Sequence, residues 1–165
     1  MIEIETERLI LKKPKFDDKK RLIDLIGDYR VSETLSNVPH PYTDDDAEYW
    51  LKRANNGEFN FSIFLHGSLI GGIGMSPKDN GFFDLGYWLG VEYWGHGYAT
   101  EAVRSLLDYA KTKILDEIIR ACVFTGNTAS SKVLEKVGFK TIGAGEVFSL
   151  SKQENIPCIN YEYYS

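Results

Sequence analysis

The chain has 165 residues, 43% of them hydrophobic and 26% charged, the ordinary make-up of one globular domain and not that of a disordered or coiled-coil chain. A net charge of −5 argues against a partner with a phosphate backbone, so no nucleic acid is expected, and mildly favours a cationic substrate. Two cysteines, Cys122 and Cys158, show neither CxxC spacing nor a His/Cys cluster around them, so a disulfide framework and a zinc site are both poorly supported and no metal is expected.

The chain opens on Met1-Ile2-Glu3-Ile4-Glu5, acidic where a secretion signal would be basic. No apolar run reaches the length of a membrane span, and the reading is a cytoplasmic protein without membrane contact. Arg8 to Lys13 reads as a first strand ended by Pro14, and Asp17-Asp18 then cap an amphipathic helix through Leu22, Ile23 and Ile26. Val38 to Tyr42 is a proline-bounded surface loop. Thr43 follows as an N-cap, with aspartates in the first turn of a second helix that carries Tyr49, Trp50 and Leu51.

Phe59 to Leu65, a His66-Gly67 turn and Leu69 to Met75 form a hairpin, with Phe59, Phe61, Ile63 and Leu65 alternating as a half-buried strand requires. A polar turn from Ser76 to Gly81 leads into a third strand, Phe83 to Val91. From Tyr98 to about Ile114 the residues Ala99, Ala102, Val103, Leu106, Leu107 and Ala110 share one stripe of a helix. Ile118 to Val123 is a short strand. Asn127 to Ser131 opens a last helix that Gly138 ends in the left-handed cap position, and Lys140 to Val147 and Ile159 to Tyr164 finish the chain as paired antiparallel strands. The order β-α-α-β-β-β-α-β-α-β-β describes an α+β chain, one domain over residues 1–165, with a mixed sheet of about seven strands flanked by about four helices.

Within this order Trp94-Gly95-His96-Gly97-Tyr98 stands directly before a strongly amphipathic helix. The first amides of a helix have no partner inside it, point one way, and carry about half a positive charge from the macrodipole. Glycines before them let a ligand approach without a Cβ in the way, so the natural guest is a phosphate or diphosphate. A dinucleotide fingerprint needs a glycine where Thr100 stands, and a P-loop needs Gly-Lys-Ser/Thr; neither is present. On its own the turn also reads as a plain strand-to-helix connection.

Three segments in order set it in context: Glu5-Thr6-Glu7-Arg8-Leu9-Ile10-Leu11; Leu85-Gly86-Tyr87-Trp88-Leu89 continuing to Tyr93 through Ala102; and Asn127-Thr128-Ala129-Ser130-Ser131-Lys132 continuing to Phe139. In these the chain resembles the GNAT N-acetyltransferases, within them the branch typified by the RimJ and RimL ribosomal-protein acetyltransferases, and the resemblance spans nearly its whole length. It departs from the family's pattern at Glu92, where Gln or Arg is usual, and at His96, where Lys or Arg is frequent. Both departures weaken cation-assisted diphosphate binding and leave the backbone amides untouched.

The resemblance implies a mostly antiparallel sheet whose fourth and fifth strands splay apart, with acetyl-CoA as co-substrate. Leu89, Gly90 and Val91 are then expected to pair with its pantetheine arm like an added strand and to supply an oxyanion donor, and the amides of Trp94, Gly95, His96, Gly97, Tyr98, Ala99 and Thr100 to hold the diphosphate. His96 adds charge only when protonated. Asn127 and Lys132 are expected on the cofactor, and Ser130 is the residue the RimL type offers to the departing sulfur. Without the resemblance, Asn127 and Ser130 read as helix caps. For the base, Asp84 and Glu92 are the candidates, with solvated turn carboxylates as the plain alternative. An α-amine, of pKa about 7.7–8.0 against about 10.4 for lysine, needs less help from a base, which tilts the reading toward N-terminal acceptors.

The functional reading is direct acetyl transfer to a primary amine of a peptide N-terminus or a small molecule such as a polyamine or antibiotic. A non-catalytic acyl-CoA-sensing module and a protein-interaction domain are the rivals. Tyr49, Trp50, Tyr87 and Trp88 read as core, His40 and His66 as exposed turn residues, and the terminal tyrosines as a last strand that a homodimer or a substrate groove would border.

Overall fold

The computed structural model describes residues 2–165. One eight-stranded sheet, in the order β1-β2-β3-β4-β5-β6-β8-β7, runs through it. Its strands are β1 (Glu3–Glu5), β2 (Leu9–Lys12), β3 (Asn60–Leu65), β4 (Ser68–Lys78), β5 (Phe82–Leu89), β6 (Ile118–Phe124), β7 (Lys140–Ser149) and β8 (Glu154–Tyr164). All neighbours are antiparallel except β5 and β6. The helices are α1 (Lys19–Ile26), α2 (Tyr29–Ser32), α3 (Asp44–Asn56), α4 (Tyr98–Lys111) and α5 (Thr128–Val137).

The mixed sheet flanked by helices is the architecture anticipated above, with two additions. β1 is a strand of three residues pairing Ile4 with Leu11, too short to show period-2 alternation. α2 is a single turn whose N-cap Asp28 accepts the Arg30 N–H. Capping at the first helix also differs from expectation. Phe16–Asp18 form a 3-10 turn, and the Asp18 carboxylate bonds back to the Lys15 N–H instead of capping α1.

Helices cover both faces of the sheet. α4 and α5 close one core with Phe61, Ile63, Leu106, Ile119 and Tyr161; α1 to α3 close the other with Leu22, Leu51, Phe64 and Trp88. β3 is therefore not half-buried as its alternation implied: Ser62 and Phe64, on its second face, are as enclosed as Phe61 and Ile63. The local caps follow the sequence. Thr43 and Asp46 form a reciprocal capping box on α3, and Gly138 ends α5 at φ 105°.

The last strand pair is antiparallel, but β8 lies between β6 and β7 and pairs with both. β5 and β6 pair in parallel only from Phe82 and Ile118 to Asp84 and Arg120. Beyond that point Leu85–Leu89 and Ala121–Phe124 diverge, and the sheet opens as a V. The early strand β1 is why the gap falls between the fifth and sixth strands here.

Candidate active site

The V opens onto a cleft of about 490 Å³. Alternation along β5 sends Leu85, Tyr87 and Leu89 toward α4 and α5, and Asp84, Gly86 and Trp88 toward the α1–α3 side. On β6, Ala121 and Val123 face α4 and α5 while Cys122 faces the other way. The cleft is lined on one side by the N-terminal ends of α4 and α5, and on the other by Val31 and residues 34–37. It thus passes through the sheet and opens by a door on each face.

At the first door, Gly95 and Gly97 hold φ of 77° and 81°, a region that side-chain-bearing residues rarely adopt. Gly97 is the N-cap of α4, and the first helical bond runs from the Glu101 N–H to the Gly97 carbonyl at 3.1 Å. Among the described residues, the N–H groups from Gly95 through Thr100 have no hydrogen-bond acceptor. Orphan amides in such a row form a cradle for an anion. Trp94 is different: its N–H is already spent on the Val91 carbonyl at 3.2 Å, and its indole N–H donates to the Leu89 carbonyl at 2.9 Å. Trp94 therefore ties the turn to the end of β5, and the free amides begin one residue later.

Gly95, Gly97, Tyr98, Ala99 and Thr100 line the cleft and His96 does not. The His96 ring lies 5.5 Å from that of Tyr98, on the outside of the turn. Of the residues expected to pair with a cofactor arm, Leu89 lines the cleft, but Gly90 and Val91 turn away into a 3-10 turn, Val91–Tyr93. The Gly90 N–H donates to Ile70, and the Gly90 and Val91 carbonyls accept from Tyr93 and Trp94. The open edge for added-strand pairing is instead that of Leu85 to Leu89, which loses β6 after Asp84.

The N-terminal end of α5 lines the cleft with Asn127, Ser130 and Lys132. Asn127 is the N-cap, its Oδ1 accepting the Ser130 N–H at 3.2 Å, which leaves its own amide N–H groups free to face a ligand. Ser130 does not cap. Its Oγ lies 2.7 Å from the Tyr87 hydroxyl, which is also 3.2 Å from the Ser130 carbonyl. Burial pushes the Tyr87 phenol up to about 12. The aromatic pattern of β5 marked Tyr87 as core, and no local signal pairs it with a serine in another helix.

The two candidate bases separate. Asp84 lines the cleft, half-exposed, with Lys78 at 3.6 Å; burial raises its carboxyl above the ordinary aspartate range although Lys78 opposes the shift. Glu92 sits on the 3-10 turn outside the cleft, mostly exposed, and pairs with Arg21 at 3.3 Å. The structure does not bring it to the other site residues. Cys122 borders the cleft near Asp84, and burial pushes its thiol well up, away from the reactive thiolate.

The family model for acetyltransferase (GNAT) domains matches residues 8–140. The uncharacterized N-acetyltransferase p20 of Bacillus licheniformis is 34% identical over 153 residues, covering 87% of this chain and 85% of that protein. A crystal structure of a GNAT-family acetyltransferase from Bacillus anthracis superposes with a TM-score of 0.84 at 25% identity, covering 99% of this chain and 98% of that one. The RimL ribosomal-protein α-N-acetyltransferase in complex with coenzyme A shares the fold, with a TM-score of 0.83 at 15% identity over 99% of this chain and 98% of that chain. With its splayed strands and glycine-led helix start in the positions described, the chain belongs to the GNAT acetyltransferase family.

Proposed function

We propose that the cleft takes acetyl-CoA through the α4–α5 door and that the enzyme transfers acetyl directly to a primary amine entering beside Asp84, with a peptide or protein α-amine as the favoured acceptor. The observation that carries the cofactor reading is the row of unpaired amides from Gly95 to Thr100 at the mouth of the gap between β5 and β6. Charge-assisted bonds of about 1.5–3 kcal/mol each, several at once, suffice to hold a diphosphate without a lysine in the turn.

Bound there, the co-substrate supplies an activated acetyl thioester. The chain's part is to place it and to manage charge. Leu85 to Leu89 offer an unpaired strand edge along which an amide-bearing arm can lie. Asp84, on the acceptor side, accepts the proton that the ammonium group sheds, through water. Ser130 turns its hydroxyl toward the sulfur and Tyr87 donates to Ser130 in its place.

Acceptor class follows from charge. Among the described residues, Asp84 is the one carboxylate lining the cleft, and residues 34–37 of the acceptor wall are uncharged. A polyamine or aminoglycoside carries several cations and would call for several carboxylates. An α-amine is already partly neutral near pH 8 and asks for one weak base. Mass-spectrometric acetylation of a panel of N-terminal peptides, polyamines and aminoglycosides tests this; acetylated N-termini are expected. Turnover confined to the polycations would overturn the acceptor assignment, and no turnover on any amine despite intact coenzyme A binding would overturn transfer itself.

A further inference from the structure

The glycine turn is held from outside by the segment between β1 and β2. The Glu101 carboxylate, 15% exposed in the first turn of α4, accepts from Thr6 Oγ1 at 2.6 Å, from the Arg8 N–H at 2.8 Å and from Arg8 Nε at 2.7 Å. The same Arg8 guanidinium lies 4.6 Å from the Tyr98 ring centroid and donates through Nη1 to the His96 carbonyl at 2.9 Å. Arg8 thus bridges the two ends of the turn, one anchored at Glu101 and the other at His96.

A trans peptide is planar, so a carbonyl pointed at Arg8 sends the N–H of the next residue the opposite way. That N–H belongs to Gly97, which lines the cleft. The restraint matters because Gly97, with no Cβ, tolerates either sign of φ, so the His96–Gly97 peptide meets little resistance to rotation on its glycine side. Parallel, unpaired amide dipoles also repel one another while no anion is present. An external hold on the carbonyl counters both effects.

We infer that Arg8 is a positioning residue for the cofactor-binding turn, fixing the His96–Gly97 peptide so that the Gly97 amide faces the diphosphate. The inference rests on the cofactor reading proposed above. It assigns Arg8 a share of affinity for diphosphate-bearing carriers and no share in the chemistry at the thioester.

The test is titration calorimetry with coenzyme A on the wild type, R8M, R8K and R8M/E101Q, alongside turnover with acetyl-CoA and with acetyl-pantetheine, a thioester that lacks the diphosphate. R8M strands the Glu101 carboxylate and loses stability; the double variant removes that charge and keeps the protein folded. Kd for coenzyme A is expected to rise about tenfold in R8M and to stay raised in R8M/E101Q, the loss of one charge-assisted bond. At the same time kcat at saturating acetyl-CoA, and kcat/KM for acetyl-pantetheine, hold near wild-type values. R8K, whose compact ammonium lacks the planar fork that serves Glu101 and His96 at once, recovers only part of the affinity. Wild-type affinity in the folded double variant, equal losses with both carriers, or full rescue by R8K would overturn the role of Arg8 and leave the cofactor reading standing. A wild type that gives no heat with coenzyme A would remove that reading as well.

Discussion

The Tyr87 hydroxyl, on β5, and Ser130 Oγ, in the first turn of α5, lie 2.7 Å apart on the α4–α5 side of the V. With the Tyr87 phenol pushed up to about 12 and a thiol near 8.5, transfer of a proton from this pair to a departing thiolate runs uphill by several pH units. In the proposed reaction the pair therefore serves as a hydrogen-bond donor to the sulfur and not as its proton source. S130A is expected to lower kcat about 10–100-fold, the worth of one bond to a charged group, while KM for acetyl-CoA changes little. Y87F keeps the serine and loses a neutral bond, so its kcat falls only about 2–10-fold. Steady-state thiol release checks both. A Y87F loss larger than that of S130A would mean that Tyr87, and not Ser130, meets the sulfur.

As the proposed base, Asp84 gives the pH dependence its sign. Its carboxyl is raised by burial, so the base form is lost as pH falls through a value above the ordinary aspartate range. For an α-amine the dominant limb of kcat/KM lies at the amine's own pKa of about 7.7–8.0, with the Asp84 limb below it. D84N is expected to remove the lower limb and to cost about 100-fold at pH 8 with an N-terminal peptide, the low end of the range of general-base catalysis. The cost should be larger with a lysine ε-amine, which starts almost fully protonated. A pH–rate profile unchanged by D84N would exclude this carboxylate as the base.

The parts of this arrangement that were legible in the sequence are those decided within one turn of chain. Gly95 and Gly97 announce a helix start stripped of Cβ atoms, Thr43 and Asp46 announce a capping box, and Gly138 announces a helix end. Arg8 and Glu101 are 93 residues apart and Tyr87 and Ser130 are 43 apart, so only the fold brings them together. Glu92 and Asp84 looked equivalent because both flank the same strand. The sheet separates them, since alternation turns Asp84 into the gap and the 3-10 turn after Gly90 carries Glu92 out to Arg21. That same turn takes Gly90 and Val91 away from the strand edge, a bend that the backbone hydrogen bonds to Ile70, Tyr93 and Trp94 impose and side-chain pattern does not encode.

Glu101 ties stability to acid. Its carboxyl is pushed up by burial, but the bonds from Thr6 and Arg8 outweigh that and hold it below the ordinary value of 4.5. The unfolded chain therefore binds this proton first, and stability rises with pH across the interval between the two values. The contribution is complete above about 4.5 and is lost as pH falls through the lower, folded value. E101Q is expected to be less stable than the wild type at pH 7, by about 1 kcal/mol given the partial exposure of Arg8, with the gap closing in strong acid. Urea unfolding of both proteins from pH 7 to pH 3 checks it, and a gap that does not change with pH would show that the carboxylate's charge is irrelevant to the fold.

Gly95 and Gly97 separate binding from folding. Both hold left-handed φ, so alanine costs roughly 1–2 kcal/mol at either position. A Cβ on Gly95 would meet nothing within 4 Å, whereas one on Gly97 would lie 3.4 Å from Arg8 Nη2. The Gly97 contact is an ordinary van der Waals distance to the end of a flexible side chain, so G97A and G95A are expected to lose about equal stability. Affinity should fall in both: Gly95 and Gly97 line the cleft, so a methyl group at either crowds the backbone against which the diphosphate is proposed to lie, and Kd for coenzyme A should rise. Thermal unfolding checks the first effect and calorimetry the second. Wild-type affinity in a folded G95A protein would show that no ligand approaches the backbone at this turn.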